Sequence, residues 1–360
     1  MKIGICATSL TKERITGIEN YVRNLIIELS KIDKKNQYSL YLPDQAYNYP
    51  KLPANFKIIS SPTKKFWEQR ELPKLVNHDN PDVIFIPSNI IPLGLKPKVI
   101  YHFHDLAWKY FRSAYSFLDY LRQSLSIARA KKCADFVITA SVSAKNDLLR
   151  ETGYDPKKIL VVPLGYDESI AKYASDINQR QGIIYCGRLE LKKNLPNILF
   201  AYKDYADKTT NPESLFICGS PGHGYPGIAK TINGMIAKGY KIKEMGYLSV
   251  EAYYKQLGQS KVLLFPSLYE GFGLPILEAF ALKTAVITSN ISSMPEISGD
   301  AALLVDPFNI STISKAISKL TSDSEFRASL IKAGNERLTH YSWEKTARGI
   351  LKVFEDVGKA

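Results

Sequence analysis

The sequence predicts an α/β fold composed of two doubly wound domains, each built around a parallel sheet. First, the chain has 360 residues, which is more than one ordinary domain and suits two. Second, short apolar runs alternate with amphipathic helical stretches, as the strands and crossover helices of a parallel sheet do. Third, the series restarts after "VVPLGYDES", and the polar stretch "IAKYASDINQRQ" that follows it indicates a linker.

The apolar runs locate the strands. In the first half they are "KIGICA", "YSLYL", "DVIFIP", "VIYHFH", "FVITAS" and "ILVVP", and in the second half "GIIYCG", "SLFICG", "VLLFPS" and "AVITSN". We therefore place an N-terminal Rossmann-like domain at residues 1–168 and a C-terminal one at 169–341. The last stretch, residues 342–360, has apolar residues at helical spacing and predicts a helix that could pack on either domain.

Composition limits the binding partners and the cellular compartment that the sequence suggests. The net charge of +13 favours an anionic partner, which could be nucleic acid, a membrane surface or a phosphorylated small molecule. Nucleic acid is disfavoured because the basic residues are scattered rather than clustered with stacking aromatics. No apolar stretch is long enough to span a bilayer, no signal peptide is evident, and the cysteines form no C-x-x-C pair. We expect a cytoplasmic protein.

Polar motifs follow several of the predicted strands, where open parallel sheets bind ligands. After the first strand, Gly17 opens an amphipathic helix, and such a turn lets backbone N–H groups approach a phosphate. A plain βα turn is the alternative. In "VIYHFHDLAW", His104 lies at a strand end and could touch a substrate, although a structural histidine is the alternative. His102 and His104, two residues apart on one strand face, are poor evidence for a metal site.

One further motif is basic, and another is acidic. In "CGRLELKKNL", Arg188 and Lys193 could converge on a diphosphate, the first as a planar fork and the second as a point charge. A solvated basic loop is the alternative. In "YEGFGLPILEAF", Glu270 lies in a glycine-rich loop, and Glu278 lies about one turn inside a helix that begins near Pro275. The helix N-terminus offers positive potential to a phosphate, although Glu278 could also be an ordinary acid of the first turns.

Together these motifs resemble the retaining glycosyltransferases of the GT-B fold, in the large family 4, and look most like bacterial mannosyltransferases of polysaccharide assembly. The resemblance rests on the E-x7-E element from Glu270 to Glu278 and on further segments in the family order. These are "YVRNLIIEL", "HFHDLAW", "TASVSAKNDL", "VVPLGYD", "CGRLELKKNL", "EMGYLS" and "SSMPEISGDAALLVDP". It implies two domains facing across a cleft, with the acceptor on the first and the donor on the second. It also implies that helix 342–360 crosses back onto the first domain. One departure is Thr16, where the family often has a glycine before Gly17.

The resemblance also implies roles for individual residues. Glu278 would hold the ribose hydroxyls of a nucleotide, and Glu270 would contact hydroxyls of the transferred sugar. Arg188 and Lys193 would neutralise the diphosphate, and His104 would contact the sugar near the reaction centre. Further residues would line the donor site: Gly17, Ser141, Tyr247, Leu248, Gly271, Phe272, Gly273 and Leu274.

The implied reaction is retaining transfer of a hexose from a nucleotide sugar, with mannose from GDP-mannose as the first expectation. UDP-glucose, UDP-N-acetylglucosamine and a sugar-nucleotide epimerase are alternatives. The sequence has no Asp-x-Asp metal motif, so we expect no metal cofactor, with Arg188, Lys193 and the helix after Phe272 supplying the positive field. Front-face attack is implied, and double displacement through Glu270 is the alternative.

The acceptor is expected to be a glycan or a lipid-diphosphate-linked saccharide. Two segments of the first domain mix aromatic and basic residues, namely Lys64, Lys65, Phe66 and Trp67 and the stretch "WKYFRSAYSFLDYLRQSLSIARAKK". Such mixtures suit an anionic membrane surface, so peripheral association with the inner face of the cell membrane is a hypothesis. Surface lysines over ordinary core aromatics are the alternative.

Overall fold

The computed structural model describes residues 1–11, 17–44, 51–62, 65–87 and 90–359, so Thr16 and Lys64 lie outside the described residues. The chain divides into two compact units. The first comprises Met1–Leu106, Phe117–Gly165 and Tyr341–Ala360, and the second comprises Ala107–Ser116 and Tyr166–His340. No helix in the described part combines the length and the hydropathy that crossing a lipid bilayer requires.

The strands run in chain order as follows: β1 (Lys2–Cys6), β2 (Gln37–Pro43), β3 (Phe56–Ser61), β4 (Val83–Ile86), β5 (Lys98–Phe103), β6 (Phe136–Thr139), β7 (Ile159–Val161), β8 (Ile183–Cys186), β9 (Leu215–Cys218), β10 (Ile242–Gly246), β11 (Val262–Phe265), β12 (Ala285–Ser289) and β13 (Leu303–Val305). The α-helices are α1 (Gly17–Ile32), α2 (Trp67–Arg70), α3 (Leu72–Asp79), α4 (Ala107–Tyr110), α5 (Phe117–Cys133), α6 (Val142–Thr152), α7 (Leu195–Asp207), α8 (Tyr225–Ala237), α9 (Val250–Gln259), α10 (Leu274–Ala281), α11 (Met294–Ser298), α12 (Ile310–Ser322), α13 (Ser324–Leu338) and α14 (Trp343–Lys359).

Two parallel sheets confirm the predicted α/β class. Within the described residues, the first unit has a seven-stranded sheet of order β3-β2-β1-β4-β5-β6-β7, and the second a six-stranded sheet of order β10-β9-β8-β11-β12-β13. Neighbouring strands pair in parallel throughout both sheets. In each unit the strand order reverses direction beside the first strand, which is the doubly wound arrangement.

Helices cover both sheets and bury their apolar strands. In the second unit, β8, β9, β11 and β12 consist almost wholly of buried residues, which matches their continuous apolar runs. In the first unit, α14 packs against α1, and the Phe354 ring lies 5.5 Å from that of Phe85 in β4. The chain at Gly165 passes so close to Trp343 that an added Cβ would lie 2.1 Å from the Trp343 nitrogen.

Three strands were not predicted: β3, β10 and β13. Each of them lies at an edge of its sheet. The predicted run "VIYHFH" is also shorter than expected, because β5 ends at Phe103 and His104 lies just beyond it. His104 therefore lies in the loop that follows the strand.

Candidate active site

The candidate site of the second unit lies at the carboxyl ends of β8 and β11, where the strand order reverses. β8 is followed by Gly187 and Arg188, and β11 by the loop that carries Glu270. Loops at such a switch point diverge to opposite faces of the sheet and leave a crevice for a ligand. The two predicted motifs, "CGRLELKKNL" and "YEGFGLPILEAF", therefore meet at the same point of one sheet.

The loop before α10 is shaped by a glycine and by two serines. Gly273 has a φ of 110° and stands at the N-cap of α10, a left-handed conformation that favours glycine, and Pro275 lies in the first turn as predicted. The Ser293 hydroxyl lies 3.0 Å from the Glu270 carbonyl oxygen and 2.7 Å from that of Phe272. The Ser292 hydroxyl donates to the Glu270 carbonyl at 2.7 Å and accepts from the Glu270 N–H at 3.1 Å.

These hydrogen bonds orient the peptide groups of the loop. In a trans peptide, the carbonyl and the N–H of the next residue point in opposite directions. Because the carbonyls of Glu270 and Phe272 face the two serines, the N–H groups of Gly271 and Gly273 are directed away from them. With the α10 N-terminus, at Leu274, they form a set of donors suited to an anion.

Lys193 and Glu270 form an ion pair. The Lys193 Nζ lies 2.5 Å from Glu270 Oε1, and the two side chains are 15% and 13% exposed. Lys193 ends a short 3₁₀ turn, Leu191–Lys193, and Asn194 follows it in a left-handed conformation, donating from its amide to the carbonyls of Pro266 and Pro307. Asn194 thus ties the basic loop to the start of the acidic loop, which brings the two predicted charges together.

Glu278 lies one turn inside α10, as predicted, and its carboxylate is held by α9. Tyr253 donates to Oε2 at 2.7 Å, and the Tyr254 hydroxyl lies 3.3 Å from Oε1. Burial raises the pKa of Glu278, the two tyrosine hydroxyls lower it, and the charge of Asp167 raises it further. The Tyr253 hydroxyl also lies 3.3 Å from Cys186 Sγ at the end of β8.

The remaining predicted donor residues of this unit lie on neighbouring loops. Arg188 is exposed directly after β8, and its carbonyl accepts a 2.7 Å hydrogen bond from Tyr185. Tyr247, which is 54% exposed, and Leu248, which is half-buried, follow β10. Phe272 is 5% exposed, so its ring belongs to the buried core.

The first unit carries the predicted residues His104, Ser141 and Gly17. The Nε2 of His104 lies 2.7 Å from the Pro87 carbonyl oxygen. Because a carbonyl only accepts, this nitrogen carries the proton, and the Nδ1 of the neutral ring is an acceptor. Burial lowers the pKa of His104, although the bond to Pro87 and the charges of Asp105 and Glu19 oppose the shift.

A second histidine lies behind the first. The Nδ1 of His102 lies 2.8 Å from the Tyr21 hydroxyl, and its ring centroid is 4.5 Å from that of His104. Among the described residues, its buried Nε2 has no hydrogen-bond partner, and neither does the Trp343 Nε1, whose ring lies near Tyr21. Burial lowers the pKa of His102 well below its ordinary value, so its ring is neutral and packs as core.

Ser141 and Gly17 occupy helix starts. Ser141 is fully buried and caps α6, its hydroxyl accepting from the Ala144 N–H at 3.0 Å. This contact gives Ser141 a structural function. Gly17 is exposed at the first position of α1, and no atom of the described residues lies within 4 Å of an added Cβ there. The donor-binding roles of both residues stay predictions.

Sequence reasoning missed the residues that hold the two glutamates. Ser292 and Ser293 lie in the family-like segment "SSMPEISGDAALLVDP", whose pattern predicts no role for them, and the sequence predicts none for Tyr253 and Tyr254. The only signal for the tyrosines is their pairing in "EAYYKQL" on a helix that precedes β11. Among the described residues, no group of three or more His, Cys, Asp or Glu side chains is arranged to hold a metal ion.

Two family models match the chain. The model described as Glycosyltransferase Family 4 matches residues 15–170, and the one described as Glycosyl transferases group 1 matches residues 167–337. O-antigen chain mannosyltransferase B of Escherichia coli is 24% identical in an alignment of 392 positions that covers 99% of this chain and 100% of that protein. Sucrose-phosphate synthase from Thermosynechococcus elongatus has a similar structure, with a TM-score of 0.75 at 18% identity over 99% of both chains. Anabaena HepE in complex with UDP and glucose gives a TM-score of 0.71 at 13% identity, over 99% of this chain and 100% of that one.

Proposed function

The chain belongs to the GT-B glycosyltransferases of the family 4 type, and on that basis we propose that it transfers a hexose with retention of configuration. The first candidate reaction moves mannose from GDP-mannose to a glycan or lipid-linked saccharide in the synthesis of a cell-surface polysaccharide. The likeness to O-antigen chain mannosyltransferase B supports mannose as the transferred sugar. A UDP-sugar is the second candidate, since Anabaena HepE is described with UDP and glucose.

The loop from Glu270 to Glu278 carries this proposal. It combines N–H groups directed away from Ser292 and Ser293 and a helix N-terminus with two carboxylates that have different partners. A nucleotide sugar offers matching groups in the same order: sugar hydroxyls, a diphosphate and ribose hydroxyls. In the proposed complex Glu270 accepts from the sugar, the loop and Lys193 hold the diphosphate, and Glu278 accepts from the ribose.

In the proposed reaction the bond between the anomeric carbon and the phosphate oxygen breaks as the acceptor hydroxyl attacks from the same face. Its proton passes to the leaving phosphate. Negative charge grows on the diphosphate, and Arg188, Lys193 and the N-terminus of α10 stabilise it without a metal ion. The Nδ1 of His104, an acceptor in the neutral ring, holds a hydroxyl of the sugar.

A nucleotide screen tests the proposal. Purified protein is heated with GDP, UDP, GDP-mannose and UDP-glucose, with and without EDTA. A true donor nucleotide at 100 times its Kd stabilises the folded state by about 2.7 kcal/mol. Stabilisation by GDP and not UDP supports GDP-mannose, and the reverse supports a UDP-sugar. Proton NMR of the glycoside product then decides retention, and an inverted product would contradict the mechanism.

We further propose that the first unit docks on an anionic membrane through α5. Its outer face carries Phe117, Leu118, Leu121 and Leu125, which are 69%, 74%, 54% and 43% exposed. At about 100° per residue these positions fall within one arc of about 100°, away from the buried Ser126. Exposed basic residues flank the stripe, namely Arg122, Lys131 and Lys132.

The neighbouring segment contributes one further apolar side chain. Phe66 is 61% exposed, and Lys65 Nζ lies 5.3 Å from its ring centroid. Arg129 of α5 donates to Gln69 of α2 at 2.8 Å, which joins the two segments. Trp67, expected beside Phe66 on this surface, is instead buried and donates to the Ser61 hydroxyl at 2.9 Å. Trp67 is therefore core, as the alternative interpretation held.

Vesicle co-sedimentation tests the docking. We expect wild type to bind vesicles that contain phosphatidylglycerol and not vesicles of phosphatidylcholine alone. Leu118→Asp with Leu121→Asp is expected to reduce binding about tenfold or more, since both side chains would insert. Phe308→Asp, at a residue of the second unit that is 68% exposed, is the matched control and should bind as wild type. Equal binding to both vesicle types would exclude the anionic surface as the partner.

A further inference from the structure

We propose that Tyr253 and Tyr254 are positioning residues that fix the Glu278 carboxylate for recognition of a ribose diol. The preference for ribonucleotides over deoxyribonucleotides would then depend on α9 as well as on α10. This inference rests on the proposed function, in which Glu278 meets the ribose. None of the segments that carry the family resemblance contains either tyrosine.

The contacts restrict the carboxylate from two sides. Tyr253 donates to Oε2 at 2.7 Å, and the Tyr254 hydroxyl lies 3.3 Å from Oε1. The terminal torsion of a glutamate is otherwise broad, so two anchors on another helix set the plane of the carboxyl group. The tyrosine rings pack together with centroids 5.1 Å apart, and Tyr254 stacks near Tyr173, so the anchors are themselves held.

The anchors leave room for the ligand. A carboxylate oxygen offers about two lone-pair directions. Each tyrosine occupies one of them, so each oxygen keeps one for an incoming hydroxyl. Two neighbouring acceptors in a fixed plane match two neighbouring hydroxyls of a ribose, whereas a freely turning carboxylate would meet them in many orientations. The inference predicts that losing either tyrosine hydroxyl weakens recognition of the diol without removing Glu278.

The charge state of Glu278 depends on the same hydroxyls. The groups that face it are Tyr253 and Tyr254 from α9, Asp167 from the segment before β8, and Cys186 from β8. Burial and Asp167 raise the pKa of Glu278, and the tyrosine donors lower it. Removing a donor therefore raises the pKa further, and the carboxyl group protonates at a higher pH. A protonated carboxyl loses one of its acceptor positions for the diol.

The experiment compares binding of GDP and 2′,3′-dideoxy-GDP by calorimetry, with UDP and its dideoxy form in parallel. The quantity of interest is the Kd of the dideoxy nucleotide divided by the Kd of the ribonucleotide, which is large when the ribose hydroxyls are recognised. We expect Glu278→Gln to lower the wild-type ratio most, Tyr253→Phe to lower it about threefold to tenfold, and Tyr254→Phe, whose contact is longer, to lower it less. Tyr240→Phe is the matched control, because Tyr240 donates to Asp207 at 2.6 Å before β10, and it should leave the ratio unchanged.

A pH series separates positioning from general damage. As the pH is lowered, the ratio in Tyr253→Phe should begin to fall at a higher pH than the wild-type ratio does, because the variant carboxyl protonates earlier. A merely structural effect would lower the melting temperature and leave this pH dependence as in wild type. If Glu278→Gln loses the preference and both phenylalanine variants keep the wild-type ratio, the inference is wrong and the proposed function stands. If Glu278→Gln keeps the ratio, the ribose role of Glu278 and the inference both fail.

Discussion

Replacing Lys193 by methionine removes the cation that lies 2.5 Å from Glu270 and leaves a carboxylate that is only 13% exposed. Breaking a buried pair by removing one partner costs about 3–5 kcal/mol, and the partial exposure here reduces that to about 2–3 kcal/mol. For a unit of this size the melting temperature should fall by roughly 4–12 °C. Glu270→Gln should cost a similar amount, since Lys193 is then the unpaired charge.

The same two variants should have opposite effects on nucleotide binding. If Lys193 holds the diphosphate, it must exchange Glu270 for the ligand when the nucleotide binds. Glu270→Gln removes the competing carboxylate, so we expect the nucleoside diphosphate to bind about threefold to tenfold tighter, whereas Lys193→Met should bind it about tenfold or more weakly. The free diphosphate is the appropriate probe because it carries no sugar for Glu270 to contact.

The assay combines thermal unfolding with calorimetric titration of whichever diphosphate stabilises wild type. In the double variant neither charge is left unpaired, so its stability should lie within about 1 kcal/mol of the better single variant. Lys261→Met is the matched control, because Lys261 and Glu213 form a comparable pair with exposures of 23% and 20%. It should lose stability without a change in nucleotide affinity. If both single variants weaken nucleotide binding equally, the exchange of partners is wrong. If the double variant loses as much stability as the two single variants combined, Lys193 and Glu270 have no pairing energy.

Three other residues give further predictions. Arg180→Met should lower the free energy of unfolding by about 3 kcal/mol in urea titrations, because this 2% exposed guanidinium donates to three backbone carbonyls and a threonine hydroxyl; a loss below about 1 kcal/mol would contradict it. Ser293→Ala should weaken diphosphate binding about tenfold, measured by titration, because the Phe272 carbonyl loses the Ser293 hydroxyl while the Glu270 carbonyl keeps that of Ser292; unchanged affinity would show that the loop holds its shape without it. Burial lowers the pKa of His104 below its ordinary 6.5, so the ring stays neutral as the pH falls. Transfer rates should therefore be flat from about pH 8 to about pH 6.5, and a loss of rate that titrates near pH 7 in wild type and is absent in His104→Asn would contradict this.

The sequence predicted the central strands of both sheets because these strands are buried on both faces and consist of continuous apolar runs. The missed strands are edge strands. Three of the six residues of β3 ("FKIISS") are exposed, β10 has a single buried residue in "IKEMG", and β13 is only three residues long. An edge strand is covered on fewer sides, so hydrophobic burial does not mark it in the sequence.

The candidate site was predictable where it is local and unpredictable where it is not. Gly273, Pro275 and the position of Glu278 follow from turn and helix chemistry within a few residues. The partner of Glu270 lies 77 residues away along the chain, and the hydroxyl that holds Glu278 lies 25 residues away. Hydrophobic patterning places strands and helices, but it carries no information about which polar side chains meet at the ends of neighbouring strands.

These long-range contacts change how the two glutamates are understood. Glu270 is paired with a cation, so its charge is largely neutralised until a ligand takes Lys193 from it. Glu278 accepts from the hydroxyls of Tyr253 and Tyr254, which are neutral, and no ion pair to a cation is found for it among the described residues. An acid–base pair would need two carboxyl groups whose pKa values diverge across one reacting bond. In the proposed complex, Glu270 releases Lys193 to the incoming diphosphate, whereas Glu278 keeps its two tyrosine partners. Because a loop separates the two glutamates, each carboxylate can contact different side chains.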